Sequence, residues 1–169
     1  NSPGWAVGLA WALASGVVPL VALGLVLAWL SGRAHSLLLD AVAAGLLGLG
    51  LVQIIGALSY RPRPFEAGLG LNLMQHVPEN SFPSDHATLV FAIAVTLLLS
   101  PWRKVGLGLL FLGFAVGWGR VYLGAHYPFD ILAGAALGAV CAALVRLMPF
   151  RLPIWSWIDR VYGGLLARL

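Results

Sequence analysis

Charge is what this chain has least of. Of its 169 residues only 9% are Asp, Glu, Lys or Arg, and just six are acidic. A soluble domain carries about a quarter charged residues, so a water-exposed globule is excluded. The one cysteine, Cys141, lies within an apolar run, which excludes a disulfide framework and a thiolate metal cluster. No internal repeat or low-complexity segment is present. The formal charge of +4 and pI near 9.8 raise the question of nucleic acid, but the ten basic residues are too scattered to line a phosphate backbone. No nucleic-acid partner is expected. The polar loops also lack the clustered carboxylates that hard cations prefer, so neither a metal nor another cofactor is expected.

What the chain has is apolar length. It is 60% hydrophobic with a mean hydropathy of +0.92, and runs of about twenty such residues cross a bilayer as helices. The expected fold is all-α: one membrane-embedded domain over 1–169, a polytopic bundle of about five transmembrane helices with interfacial N- and C-terminal helices. Two readings fit residues 4–30. Either a short interfacial helix bearing Trp5 and Trp11 breaks at Gly16, with Pro19 opening a first span, or one long helix kinks there. Further spans are expected at Leu37–Leu58, at 84–99, at about Val105–Trp118, and from Pro128 to about Leu147. Gly134 and Gly138 form a small-residue face suited to close helix approach. His35 reads as a solvated loop residue. From Phe150 onward, Trp155, Trp157, Tyr162, Arg160 and Arg168 among Leu and Ile read as an amphipathic helix lying in the interface.

Five spans set the sidedness. Arg33, Arg103, Lys104, Arg146, Arg151, Arg160 and Arg168 fall on one face, seven of the ten basic residues. By the positive-inside rule that face is the cytoplasm. The remaining three, Arg61, Arg63 and Arg120, face outward, and charge sidedness gives them no reason to be there.

Those three arginines lie in the two polar stretches, 59–86 and 119–130. The first is a loop of roughly 25 residues, a length that is usually functional or disordered. The second is Gly119-Arg120-Val121-Tyr122-Leu123-Gly124-Ala125-His126-Tyr127-Pro128-Phe129-Asp130. Arginine grips phosphate bidentately, and histidine serves as a nucleophile or proton carrier near neutral pH. A carboxylate four residues after His126 on a helix stands one turn away, within reach of the ring. The competing reading is a helix end with a snorkelling arginine and an interfacial histidine. Ser84-Asp85-His86 opens a helix, where Ser84 caps the end and its amides face an anion. Two histidines, several guanidiniums and a helix N-terminus are what a tetrahedral phosphate requires.

These clusters resemble the three-part signature of the type 2 phosphatidic acid phosphatase superfamily, which also includes the vanadium haloperoxidases: Lys-x6-Arg-Pro, Pro-Ser-Gly-His and Ser-Arg-x5-His-x3-Asp. Arg63-Pro64 matches the end of the first part and Pro83-Ser84-Asp85-His86 the second. Gly119-Arg120, His126 and Asp130 keep the full spacing of the third. The likeness spans roughly residues 56–134. Within the superfamily the wording is most similar to the bacterial undecaprenyl-diphosphate phosphatases of the bacitracin-resistance type. Three departures stand out: Gly56 falls where the family has its lysine, Asp85 replaces a glycine, and Gly119 replaces a serine. Arg61 is the candidate substitute for the lysine.

The resemblance implies a metal-independent lipid phosphatase acting on a polyprenyl or other lipid phosphate in a bacterial plasma membrane, with the site on the outer face. It implies that His126 attacks phosphorus, that Asp130 fixes its tautomer, and that His86 serves as acid and then base. Arg63, Arg120 and Ser84 are implied as phosphoryl ligands, with Asp85 and Arg61 beside them. For Asp85 two readings remain, repulsion of phosphate or hydrogen bonds to loop amides. His76 reads as loop structure rather than a catalytic group, and Gln75, Glu79 and Asn80 are candidates for contact with a head group, with nothing in the sequence to fix their geometry. A transporter or proton relay is the competing class, and it calls for charges deep within the spans.

Overall fold

In the computed structural model, which describes residues 3–32, 34–69, 71–75, 77–149 and 151–166, those residues form helices joined by turns and loops. The helices are α1 (Gly4–Leu30), α2 (His35–Leu58), α3 (Asp85–Leu98), α4 (Arg103–Tyr122), α5 (Pro128–Leu147) and α6 (Arg151–Leu166). The helical membrane bundle expected from composition is the fold observed. α1, α2, α4 and α5 are each long and apolar enough to cross a bilayer. Large side chains such as Leu20, Leu46, Phe111 and Phe114 project from them outward, as lipid-facing positions should.

Of the two readings of residues 4–30, the single long helix is the one observed, and there is no break at Gly16. α1 runs unbroken for 27 residues with Pro19 inside it. Proline removes one N–H from the ladder, whereas a full break would free several backbone groups that a bilayer has no water to satisfy, so an apolar helix of this length favours continuing through it. α4 likewise continues past Trp118 to Tyr122 and takes Arg120 into its last turn, where a loop was expected. His35 is no loop residue either. It opens α2 and stacks on Trp29 at a centroid distance of 4.3 Å.

α3 is the centre of the bundle. It packs against α2, α4 and α5, while α1 lies on α4 and α6 on α2. Its 14 residues span about 21 Å at 1.5 Å per residue, short of the roughly 30 Å hydrocarbon core. A helix that short depends on the longer helices packed around it. The close packing comes from small residues on α5. A Cβ on Gly134 would lie 2.6 Å from the Ser84 carbonyl oxygen, and one on Gly138 would strike the α3 backbone at Thr88. The polar groups of α3 are paired internally, Thr88 Oγ1 donating to the Ser84 carbonyl and Thr96 Oγ1 to that of Ala92, each at 2.8 Å.

The up-and-down order brings the end of α2, the start of α3, the end of α4 and the start of α5 to one pole. The stretches 59–84 and 123–127 close it. At the opposite pole Asp40 is buried and accepts from Trp155 Nε1 at 2.7 Å, with Arg146 Nη1 at 3.8 Å. That contact ties α6 to α2.

Candidate active site

His126 follows α4 and is almost fully enclosed, at 2% exposure. Its Nδ1 lies 2.8 Å from the Ser81 carbonyl oxygen. A carbonyl only accepts, so Nδ1 carries the proton and Nε2 keeps its lone pair. That lone pair faces Arg63, whose Nη1 is 3.5 Å away. Burial pushes the His126 pKa below its ordinary 6.5; the Asp130 carboxylate opposes that shift, and the cations Arg120 and Arg63 add to it. The ring is therefore neutral at pH 7, as a nucleophile must be.

Asp130 stands where the spacing places it, in the first turn of α5, but its nearer oxygen is 3.7 Å from His126 Nδ1. That exceeds hydrogen-bond length. The carboxylate instead accepts from the Ser81 hydroxyl, from the Tyr127 amide at 2.8 Å and from Arg61 Nη1 at 2.7 Å. Ser81 thus bridges the pair, with its carbonyl on the histidine and its hydroxyl on the aspartate. Arg61, the candidate for the absent lysine, is held by Asp130 and lies over the Tyr127 ring, 4.2 Å from its centroid.

Arg63 is buried at 5% exposure. Its Nη1 donates to the Ala125 carbonyl at 3.0 Å, and Nη2 lies 3.6 Å from Glu79. Among the described residues its Nε finds no hydrogen-bond acceptor. A buried guanidinium N–H without an acceptor is costly, and an anion entering the site would satisfy it. Arg120 arrives from α4, with Nη2 2.9 Å from His86 Nδ1 and 3.7 Å from Asp85 Oδ1.

His86 sits in the first turn of α3. Its Nδ1 is 2.9 Å from Asp85 Oδ1, the same oxygen that accepts the His86 amide at 2.8 Å. Asp85 therefore turns back onto its own helix end, which agrees with the amide-bonding reading of that residue. Nδ1 is thus engaged by both the Asp85 carboxylate and the Arg120 guanidinium, and Nε2 is the ring nitrogen left for chemistry. Ser84 is the fully buried cap of α3. Its Oγ accepts from the Ala87 amide at 3.5 Å, and its own amide donates to the Asp130 carbonyl at 3.1 Å. The starts of α3 and α5 are thereby fastened together.

A cavity of about 570 Å³ lies against these groups, lined by Gln53, Gly56, Arg63, Glu79, Asp85 and His126 among others. At its edge Asn80 spans the end of α2. The Asn80 amide nitrogen donates to the carbonyls of Gly56 and Ser59, and its oxygen accepts from the amides of Arg61 and Phe82. A Cβ at Gly56 would meet that nitrogen at 2.9 Å. Asn80 is thus built structure rather than a loose loop residue. His76, Arg33 and Arg168 lie outside the described residues. Among the described residues, no three His, Cys, Asp or Glu side chains gather as a metal-binding group.

Sequence reasoning missed Ser81 and Gln53. Nothing local marks Ser81, whose role depends on a loop closing across 45 residues onto His126. Gln53 carried a faint signal, as a lone amide within an apolar helix.

The PAP2 superfamily model matches residues 36–154. Undecaprenyl-diphosphatase BcrC of Bacillus subtilis (strain 168) is 32% identical over 151 residues, covering 88% of this chain and 78% of that protein. The bacitracin transport permease protein BcrC of Bacillus licheniformis is 39% identical over 136 residues, covering 79% and 66%. In three dimensions the chain resembles Aquifex aeolicus LpxE with a TM-score of 0.69 at 23% identity, over 83% of this chain and 82% of that one. At that identity the likeness establishes the fold. All three parts of the signature fall within or beside this one cavity, and the matched region contains them. The chain belongs to the PAP2 superfamily, as a multi-pass membrane lipid phosphatase.

Proposed function

We propose that this protein hydrolyses undecaprenyl diphosphate to undecaprenyl phosphate and phosphate, at the outer face of a bacterial plasma membrane. The observation that carries the reading is the neutral His126, its Nε2 lone pair turned toward buried Arg63 beside the cavity. Nε2 attacks the terminal phosphorus, and the bond from that phosphorus to the bridging oxygen breaks. His86 gives its Nε2 proton to the leaving oxygen, then takes one from the water that cleaves the phosphohistidine. Ser81 holds the Nδ1 proton through both steps, and the Asp130 carboxylate stabilises the positive ring. Arg63 and Arg120 neutralise the phosphoryl oxygens, the task magnesium performs in other phosphoryl transfers. Ser84 sets the α3 amides toward them. Asp85 orients His86 and Arg61 orients Asp130, and neither touches phosphate.

One domain carries all of this. A site at the start of the short α3, among longer apolar helices, suits a head group entering from the bilayer while its tail stays in lipid. The basic residues of the far pole, Arg103, Lys104 and Arg146, support placing that pole in the cytoplasm. Other lipid phosphates, such as phosphatidylglycerophosphate, diacylglycerol pyrophosphate, phosphatidate or lipid A phosphate, would fit the same chemistry. A transport reading, which one relative's name invites, requires ionisable groups along the spans. Here they gather at the two poles.

The test is phosphate release in detergent with chelator present, offering undecaprenyl diphosphate, phosphatidylglycerophosphate and phosphatidate side by side. Preference for the first, abolished in His126→Ala, is the expected result. Substantial turnover by the folded His126→Ala protein would end the proposal for that residue. Preference for a glycerolipid would keep the mechanism and replace the substrate.

A further inference from the structure

Gln53 is a polar side chain in the wrong solvent. It lies five residues inside the end of α2, about 7 Å along the axis, within a segment apolar enough to span a membrane. An amide placed among lipid without a partner costs free energy. Gln53 makes no hydrogen bond to any described residue. It lines the same cavity as Arg63 and His126, on the α2 side. It also precedes Gly56 by three residues, so the two share a helix face. Gly56 is the position left without the motif lysine.

We propose that Gln53 is a specificity residue: its side-chain amide donates a hydrogen bond to the lipid-side phosphate of a diphosphate, the phosphate that stays on the leaving group. This rests on the substrate reading above and deepens it. A substrate whose terminal phosphorus lies at His126 must direct the rest of its head group back toward the bilayer. The wall of the cavity on that side is α2. A neutral donor suits this subsite because the guanidiniums at the far side already balance the transferred group. Position 56, one turn nearer the surface, holds no side chain at all. A monophosphate ester places carbon where the diphosphate has its second phosphate, so no charged acceptor stands opposite the Gln53 amide. A site built to hydrogen-bond a substrate group discriminates against substrates lacking it.

The experiment compares kcat/KM for undecaprenyl diphosphate and for phosphatidate, in the wild type and in Gln53→Leu. Leucine is one bond shorter than glutamine, carries no polar group and is at home in a lipid-facing helix, so folding is preserved. The variant should lose about tenfold or more on the diphosphate, as expected for a hydrogen bond to a charged group, and less than twofold on phosphatidate. Inhibition tells the same difference without turnover of either lipid head group: Ki for inorganic pyrophosphate should rise, and Ki for inorganic phosphate should not. Equal losses on both lipids, or no loss on either, overturns the role of Gln53. The wild-type preference tests the proposed substrate, and the change in that preference tests Gln53, so the two failures are separable.

Discussion

Arg61 and Arg63 stand two residues apart on one loop, and their replacement by alanine should have unequal effects. Arg63 is buried, and its Nε has no partner among the described residues. It faces His126 Nε2, the nitrogen proposed to attack, at 3.5 Å, where removing an oriented donor from a developing anion costs about 3–4 kcal/mol, or roughly 10²- to 10³-fold in rate. Arg61 is spent on Asp130 at 2.7 Å, and its side chain is 39% exposed. Solvent screens such a pair to about 0–1 kcal/mol, and Asp130 keeps its bonds from Ser81 and Tyr127 when Arg61 goes. About a fivefold fall is expected for Arg61→Ala. The assay is kcat/KM for phosphate release by folded variants, with Arg63→Lys added because an ammonium lacks the planar fork and should not restore the rate. Equal losses at the two arginines would place Arg61 on the phosphate and refute the division of labour drawn from the geometry.

Two further outcomes follow from packing and burial. Gly138→Ala would drive a methyl into the α3 backbone at Thr88 and Ala92, neither of which can yield, whereas Gly50→Ala enters open space. Overpacking of this kind costs about 1–3 kcal/mol, so the first variant should unfold several degrees lower in detergent, losing activity with α3, and the second should match wild type. For His126, the folded pKa lies below the 6.5 of the unfolded chain. The unfolded state therefore binds the proton first: stability is full above about 6.5 and declines as pH falls from there toward the folded value. A titration of ¹⁵N-labelled histidine, assigned by the signal missing from His126→Ala, should show a midpoint under 6.5, and one at or above it contradicts the account.

The bundle was legible because hydropathy reports the solvent directly, and spans as apolar as α2 and α5 have few other places to fold. The helix breaks were less so. Gly16 and Pro19 read as punctuation by rules learned in water, and Gly119-Arg120 reads as a turn until α4 is seen to carry it. Within the site, the spacing of His126 and Asp130 was informative because a helix fixes what lies one turn away. It could not reveal that Ser81 stands between them, or that Arg61 turns from the cavity toward Asp130. Both depend on how the loop 59–84 folds back, and long-range closure leaves no local periodicity to read. Asp85 was undecided for a similar reason: its direction is set by the ring of the next residue, not by its charge.

Asn80 holds four backbone groups at the end of α2 and rests its nitrogen where a side chain at 56 would begin. For the history of the site this makes positions 56 and 80 a coupled pair. Installing a lysine at 56 alone dislodges the amide that organises the loop bearing Arg61 and Arg63, so the gain of a cation would be offset by disorder in the groups it should assist. Removing Asn80 alone loosens the same loop with nothing in return. A change at either position therefore acts on the loop that bears Arg61 and Arg63, and a lysine at 56 has to be accommodated together with the side chain at 80.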